Sequence, residues 1–190
     1  MPKIGMEPIR RNALVKATIA EIGEAGSLDV TVSQIARRAG MSSALAHHYF
    51  GGKDQIFLAA MRQILRDFGA EVREALAASA PEARAAAIIR ASFDPSSFAP
   101  ATISAWMTFY MMSQTNPEAR RLLHIYQKRL RSNLTQALHP LTPDPGAVAD
   151  TLAALIDGLY IRAALDFPDR PQVATEHALA VLEQLLGGRE

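Results

Sequence analysis

Residues 40–53 read GMSSALAHHYFGGK, which places two adjacent histidines, two adjacent aromatics, a serine pair and a lysine within one short stretch. Three chemistries use such residues: metal ligation, acid–base catalysis, and polar contact with a large anion. Consecutive helical residues project about 100° apart, so His47 and His48 cannot share a metal as an i, i+4 pair would. The chain has no cysteine, and no nearby carboxylate falls on the same face to complete a site. A catalytic histidine needs a nucleophile and an orienting carboxylate, and the stretch lacks the strained strand-to-helix elbow that exposes a serine nucleophile. Neither a metal site nor a catalytic residue is expected. Contact remains: hydroxyls, imidazoles and a phenol reach phosphates and base edges, and small residues let a backbone come close. Taken singly, either histidine could instead pack on Phe50 or cap a turn.

A second constellation lies far along the chain. Trp106, Phe109 and Tyr110 recur at spacing three and four, flanked by Met107, Met111 and Met112. Asp157 and Tyr160 sit three apart in TLAALIDGLYIRAAL, a segment apolar nearly all round. A carboxylate there is costly unless paired or functional. Aromatic faces beside a carboxylate could form a ligand cage. The same residues could be ordinary core, with Asp157 in an ion pair with Arg162 or a neighbouring helix, or capping backbone near Gly158. Phe93, Asp94 and Phe98 could join the site, or FDPSSF could be a helix cap and turn.

The elements that must position these residues read as helices throughout. Leu14, Ala17, Thr18, Ile22 and Ala25 mark a first helix over 9–26 that ends at Gly26. Thr31 with Gln34 three residues on forms a capping-box pattern, after which Ile35, Ala36 and Ala39 face inward and Arg37 and Arg38 outward. Gly40 permits a reversal, and Ser42 or Ser43 caps a third short helix to about residue 49. A long helix then runs from Asp54 to about Ser79, with Ile56, Phe57, Ala60, Ile64, Phe68 and Val72 inward. Two short helices joined at a glycine behind a longer one make a helix-turn-helix. Beyond residue 67 further helices follow, broken at FDPSSFAP, NPEA, HPLTPDPG and FPDRP.

Composition narrows the class. With 190 residues, 49% of them hydrophobic, the chain can bury a substantial core. No uninterrupted apolar run marks a signal peptide or a membrane span, so a cytoplasmic protein is expected. The net charge of +1 hides an asymmetry. Residues 1–66 hold nine Lys/Arg against five Asp/Glu, whereas 67–190 hold eleven against fourteen, which favours a polyanion partner at the first end only.

LVKATIAEIGEAG, TVSQIARRAGMS, HHYF and GGKDQIF, residues 14–57, resemble the DNA-binding region of the TetR family of transcriptional repressors. The resemblance implies an all-α fold: an N-terminal helix-turn-helix DNA-binding domain over 1–53, and a C-terminal helical effector-binding and dimerisation domain over 54–190, linked by the helix at 54–79. It implies DNA contacts from Thr31, Ser33, Gln34, Ser42, Ser43, Ala44, His47, His48, Tyr49 and Lys53, with Ile35 and Phe50 in the core. Many members have tyrosine where His47 stands and histidine where Tyr49 stands, which leaves open which residue meets phosphate and which a base. MPKIGMEPIRR, QIARRAGMS, ISAWMTFY and AALIDGLYIRAAL are similar to the choline-responsive branch that represses glycine-betaine synthesis.

That likeness implies choline as effector, held by Trp106, Phe109, Tyr110, Asp157, Tyr160 and Phe93, with no cofactor and no catalysis. A different small molecule, such as a drug or lipid, is the alternative. Helices at about 147–165 and 173–186 carry more apolar surface than one face of a small domain uses: Leu152, Leu155, Ile156, Leu159, Ile161 and Leu165, then Val173, Ala178, Val181, Leu182, Leu185 and Leu186. In the resembled family such helices form a homodimer, and two-fold symmetry places two recognition helices about 34 Å apart on a pseudo-palindromic operator.

Overall fold

The computed structural model describes residues 5–25, 30–165 and 171–187. Among them every regular element is helical: α1 (Met6–Ala25), α2 (Val32–Arg38), α3 (Ser43–Phe50), α4 (Lys53–Ala77), α5 (Arg84–Ser92) after a short turn at Pro81–Ala83, α6 (Pro100–Thr115), α7 (Pro117–Leu138), α8 (Pro145–Leu165) and α9 (Pro171–Gly187). The expected stop at Gly26, most of the FPDRP break and the first four residues lie outside those described. No described helix is long and apolar enough to cross a membrane.

Local chemistry explains the boundaries. The Gln34 amide nitrogen donates to Thr31 Oγ1 at 3.2 Å, while Gln34 Oε1 accepts from the Thr31 amide nitrogen at 2.7 Å, so two orphan donors are satisfied reciprocally. Gly40, at φ 68°, makes the left-handed turn between α2 and α3. Ser42 then caps α3 through the Leu45 amide at 3.2 Å. Four later breaks turn out to be starts: Pro100, Pro117, Pro145 and Pro171 each open a helix, where the missing N–H is not needed and the fixed φ is already helical. Asn116 adds a cap to α7 by accepting from the Glu118 and Ala119 amides at 2.9 and 3.1 Å.

The buried residues form one cluster, from Leu14 on α1 through Ile56 and Met61 on α4 to Phe109, Leu134, Ile156 and Leu182. The N-terminal helix-turn-helix half and the C-terminal helical half therefore share a core. α4 supplies one link. A second was not legible in the sequence: α1 packs directly on α6, and at Gly23 an added Cβ would sit 2.2 Å from Ala101 Cβ and 2.6 Å from Ala101 Cα.

The surplus apolar surface of α8 and α9 is partly absorbed at home. Leu152, Ile156, Leu159, Ala178 and Leu182 are buried within the chain. Leu165, 79% exposed, together with Ile161 and Val173, remains outside, as a partner-facing strip would.

Gly23→Ala drives two rigid groups together, with no flexible side chain to yield. Overpacking of this kind costs about 1–3 kcal/mol, and each kcal/mol lowers Tm by about 2–4 °C for a chain of this size. Thermal melts are expected to show that loss, and Gly23→Ala combined with Ala101→Gly is expected to recover only part of it, because the Ala101 Cα still lies 2.6 Å from the added Cβ.

Candidate DNA-reading surface and buried aromatic site

On α2 and α3, Thr31, Ser33, Ser42, Ala44, His47 and His48 are exposed, whereas Gln34, Ser43 and Tyr49 are half-buried. Several of these side chains already have structural duties. Gln34 Oε1 accepts from Thr31 at both its amide and its hydroxyl, leaving Nε2 as its donor. Ser43 Oγ donates to Ser33 Oγ at 2.9 Å, tying α3 to α2. His47 Nδ1 lies 3.3 Å from the Gly51 carbonyl; a carbonyl only accepts, so the proton sits on Nδ1 and Nε2 is left for an outside partner. His48 is exposed and its ring lies 5.6 Å from that of Tyr49. Lys53 opens α4, where exposed amides already favour an anion.

Two bolts that sequence reasoning missed hold this surface. The Arg11 guanidinium lies 4.4 Å over the Phe50 ring and donates to the Tyr49 carbonyl at 2.7 Å, while Arg10 donates to the Tyr49 hydroxyl at 3.4 Å. Phe50 is thus half-buried beneath a cation rather than fully in the core, whereas Ile35 is buried. Arg38, read as simply outward-facing, pairs with Glu21 at 2.5 Å and with Glu24, fastening α2 to α1. These partners raise its pKa further.

The second constellation assembles around Trp106, which is buried on α6. Its ring centroid lies 4.7 Å from Tyr126, 5.8 Å from Tyr110, 5.9 Å from Phe109 and 6.2 Å from Tyr160. Asp157 does not pair with Arg162, which is exposed. Its Oδ1 instead accepts from the Tyr110 and Tyr126 hydroxyls at 3.1 and 3.4 Å. Burial pushes the Asp157 pKa up, against the lowering effect of those two donors. Burial, with the Asp157 charge second, likewise pushes up Tyr110 and Tyr126, so both remain proton donors at neutral pH.

A cavity of about 10 Å³ opens beside Trp106, lined by rings and hydroxyls including Phe68, Thr102, Tyr126 and Tyr160. Of the residues expected to hold an effector, Trp106 and Tyr160 line it, Tyr110 and Asp157 stand behind Tyr126, and Phe109 is fully buried against Trp106. Phe93 packs behind Tyr160, rings 5.9 Å apart. Tyr160 donates to the Ser92 carbonyl at 2.6 Å, which fixes its ring. Tyr126, the nearest ring to Trp106, was overlooked; its place among Ala119, Leu130 and Leu134 on the buried stripe of α7 was the available signal.

A helix-turn-helix bolted to a helical domain with a buried aromatic cluster is the architecture of a DNA-binding transcriptional regulator, and comparison agrees: residues 14–60 match the profile for bacterial regulatory proteins of the tetR family. The chain belongs to the TetR family of transcriptional repressors, which implies operator DNA as partner and dimerisation. More particularly, residues 81–187 match the C-terminal domain of BetI-type transcriptional repressors. The HTH-type transcriptional regulator BetI of Brucella anthropi is 52% identical over 193 residues, covering 98% of this chain and 99% of that one. Its namesake from Agrobacterium fabrum is 53% identical over 168 residues, covering 87% and 82%.

Solved structures share the fold. A transcriptional regulator from Pseudomonas aeruginosa superimposes with a TM-score of 0.79 at 24% identity, covering 95% of this chain and 92% of that one. One from Saccharomonospora viridis, solved in complex with choline, superimposes with a TM-score of 0.77 at 21% identity, covering 91% and 95%.

Lys53→Ala is expected to weaken binding to all DNA sequences and to lower the dependence of log K on log salt by about one; affinities measured at three salt concentrations check this. An unchanged slope removes Lys53 from the phosphate contacts. For Asp157 the folded state favours the protonated form, so its contribution to stability is full below the ordinary carboxylate value of 3.8 and is lost as pH rises through the raised value. Asp157→Asn is expected to abolish that loss in melts between pH 4 and 8; an unchanged pH profile would place the ionisation elsewhere.

Proposed function

We propose that this chain represses glycine-betaine synthesis genes and responds to choline bound at the Trp106 site. The observation that carries the reading is the juxtaposition of five aromatic rings with a carboxylate already held by two tyrosine hydroxyls. Such faces attract a desolvated quaternary ammonium by about 2 kcal/mol or more, and the carboxylate adds attraction without needing a hydrogen from the ligand. The BetI-named relatives and the choline-complexed neighbour support it independently.

The mechanism begins with size. A cavity of about 10 Å³ has room for roughly one water, so a trimethylammonium group enters only if the walls give. Phe68 and Ile64 form part of the wall, and both belong to α4, whose first turn follows the recognition helix α3. Choline therefore favours a state with α4 displaced, and displacement changes the spacing of the two recognition helices in a dimer. A preference of about 1–3 kcal/mol for that state alters DNA affinity about five- to 150-fold. In this reading Ser42, Ser43, Ala44, His47 and His48 meet bases and sugar-phosphate, with Thr31, Ser33, Gln34, Tyr49 and Lys53 at the margins.

Choline and 3,3-dimethylbutan-1-ol have nearly the same shape, but only choline is charged. Choline is expected to raise Tm and lower affinity for the DNA upstream of the gene, and the neutral analogue to do neither. Equal thermal shifts would sink the cation cage and favour an effector of different chemistry.

A further inference from the structure

A second recess lies on the outer side of the Phe68 and Tyr126 rings. It runs between α4 and α7, has a volume of about 560 Å³, and is separated from the Trp106 cavity by those two side chains, which line both. That volume falls in the range of about 300–1,000 Å³ usual for small-molecule sites. Its charge is one-sided: Arg62, Arg66 and Arg73 on α4 face Arg129 on α7, and none of the described residues lining it is acidic.

Those arginines are unequally occupied. Arg62 pairs with Glu118, and Arg66 donates to Gln63 at 2.8 Å. Among the described residues no hydrogen bond or ion pair engages Arg73 or Arg129, and both are exposed. With Arg62 answered by Glu118, the charges of Arg66, Arg73 and Arg129 beside a low-dielectric wall focus a positive potential. A cation is repelled from such a groove, which sets it apart from the cage behind it.

The floor has the opposite character. Leu65, Val72, Leu122, Ile125 and Leu130 line it with hydrocarbon, and Ile125 stands partly exposed there. Along α4 the span from Arg62 to Arg73 is about 16 Å at the helical rise, long enough for an extended chain to lie on the floor while its head meets a guanidinium. Arginine forks match carboxylate and phosphate geometry.

We propose that the α4/α7 groove binds a free single-chain amphiphile with an anionic head group, the chain on the leucine floor and the head on Arg66, Arg73 or Arg129. The site stands whether or not the cage takes choline, since it rests on separate residues apart from the shared wall.

Calorimetric titration of the full chain with decanoate, below its micelle concentration and in the absence of choline, tests it. Saturable binding at one per chain is expected, at least tenfold tighter than decanol, which lacks the charge, and than sulfate, which lacks the chain. Arg66→Gln, Arg73→Gln and Arg129→Gln combined are expected to weaken decanoate at least tenfold while leaving the helical circular dichroism and Tm unchanged, because all three side chains are exposed. Leu122→Asn supplies a separate variant on the apolar floor and is expected to weaken decanoate without affecting sulfate. No saturation with decanoate, equal affinity for decanol, or full affinity in the arginine variant would each overturn the proposal. Choline titrated in parallel reports the cage, so failure of either site is read separately from the other.

Discussion

A helix of 25 residues curves only gently unless something interrupts its hydrogen-bond ladder, and α4 is such a helix. Its first turns carry Ile56, Phe57 and Leu58 into the core beneath α2 and α3; its middle places Ile64 and Phe68 against the aromatic cavity. Whatever moves one end must move the other or strain the ladder between. The α1–α6 crossing at Gly23 and Ala101 closes the frame on the other side. Together the two contacts make a shared core out of what the motif alone would suggest are two domains joined by one helix.

The electrostatics divide along the same helix. The cavity on its inner side is lined by rings and hydroxyls, with Asp157 behind Tyr126 and tolerated because the Tyr110 and Tyr126 hydroxyls donate to it. The groove on its outer side holds guanidinium groups over hydrocarbon. Phe68 and Tyr126 stand between and line both. Close packing means that neither region can change shape in isolation.

Much of the reading half was legible from residues near one another in sequence. The Thr31–Gln34 capping box, the glycine turn at Gly40 and the serine cap of α3 are local devices, and each has the geometry its spacing predicts. Prolines were read as breaks, correctly in position, though four of them open the next helix. What the local pattern omitted were partners distant in sequence: Arg11 over Phe50 and Arg38 with Glu21 and Glu24. In the C-terminal half the candidate ring cluster is legible from i, i+3 and i, i+4 spacing on α6. Tyr126 is not, since its neighbours on α7 are leucines and only packing brings it to Trp106.

By itself, then, the sequence determined the helices, their caps and turns, the helix-turn-helix and the family, because these depend on short-range hydrogen bonding and on apolar periodicity within each segment. Tertiary structure alone decided that Asp157 is answered by Tyr110 and Tyr126 rather than by Arg162. It also decided that Gly23 admits Ala101, and that arginines from α4 and α7 face one another over a common floor. Each of these pairs residues dozens of positions apart. Their meeting is set by how whole helices pack, and the spacing of residues along one chain carries no record of that.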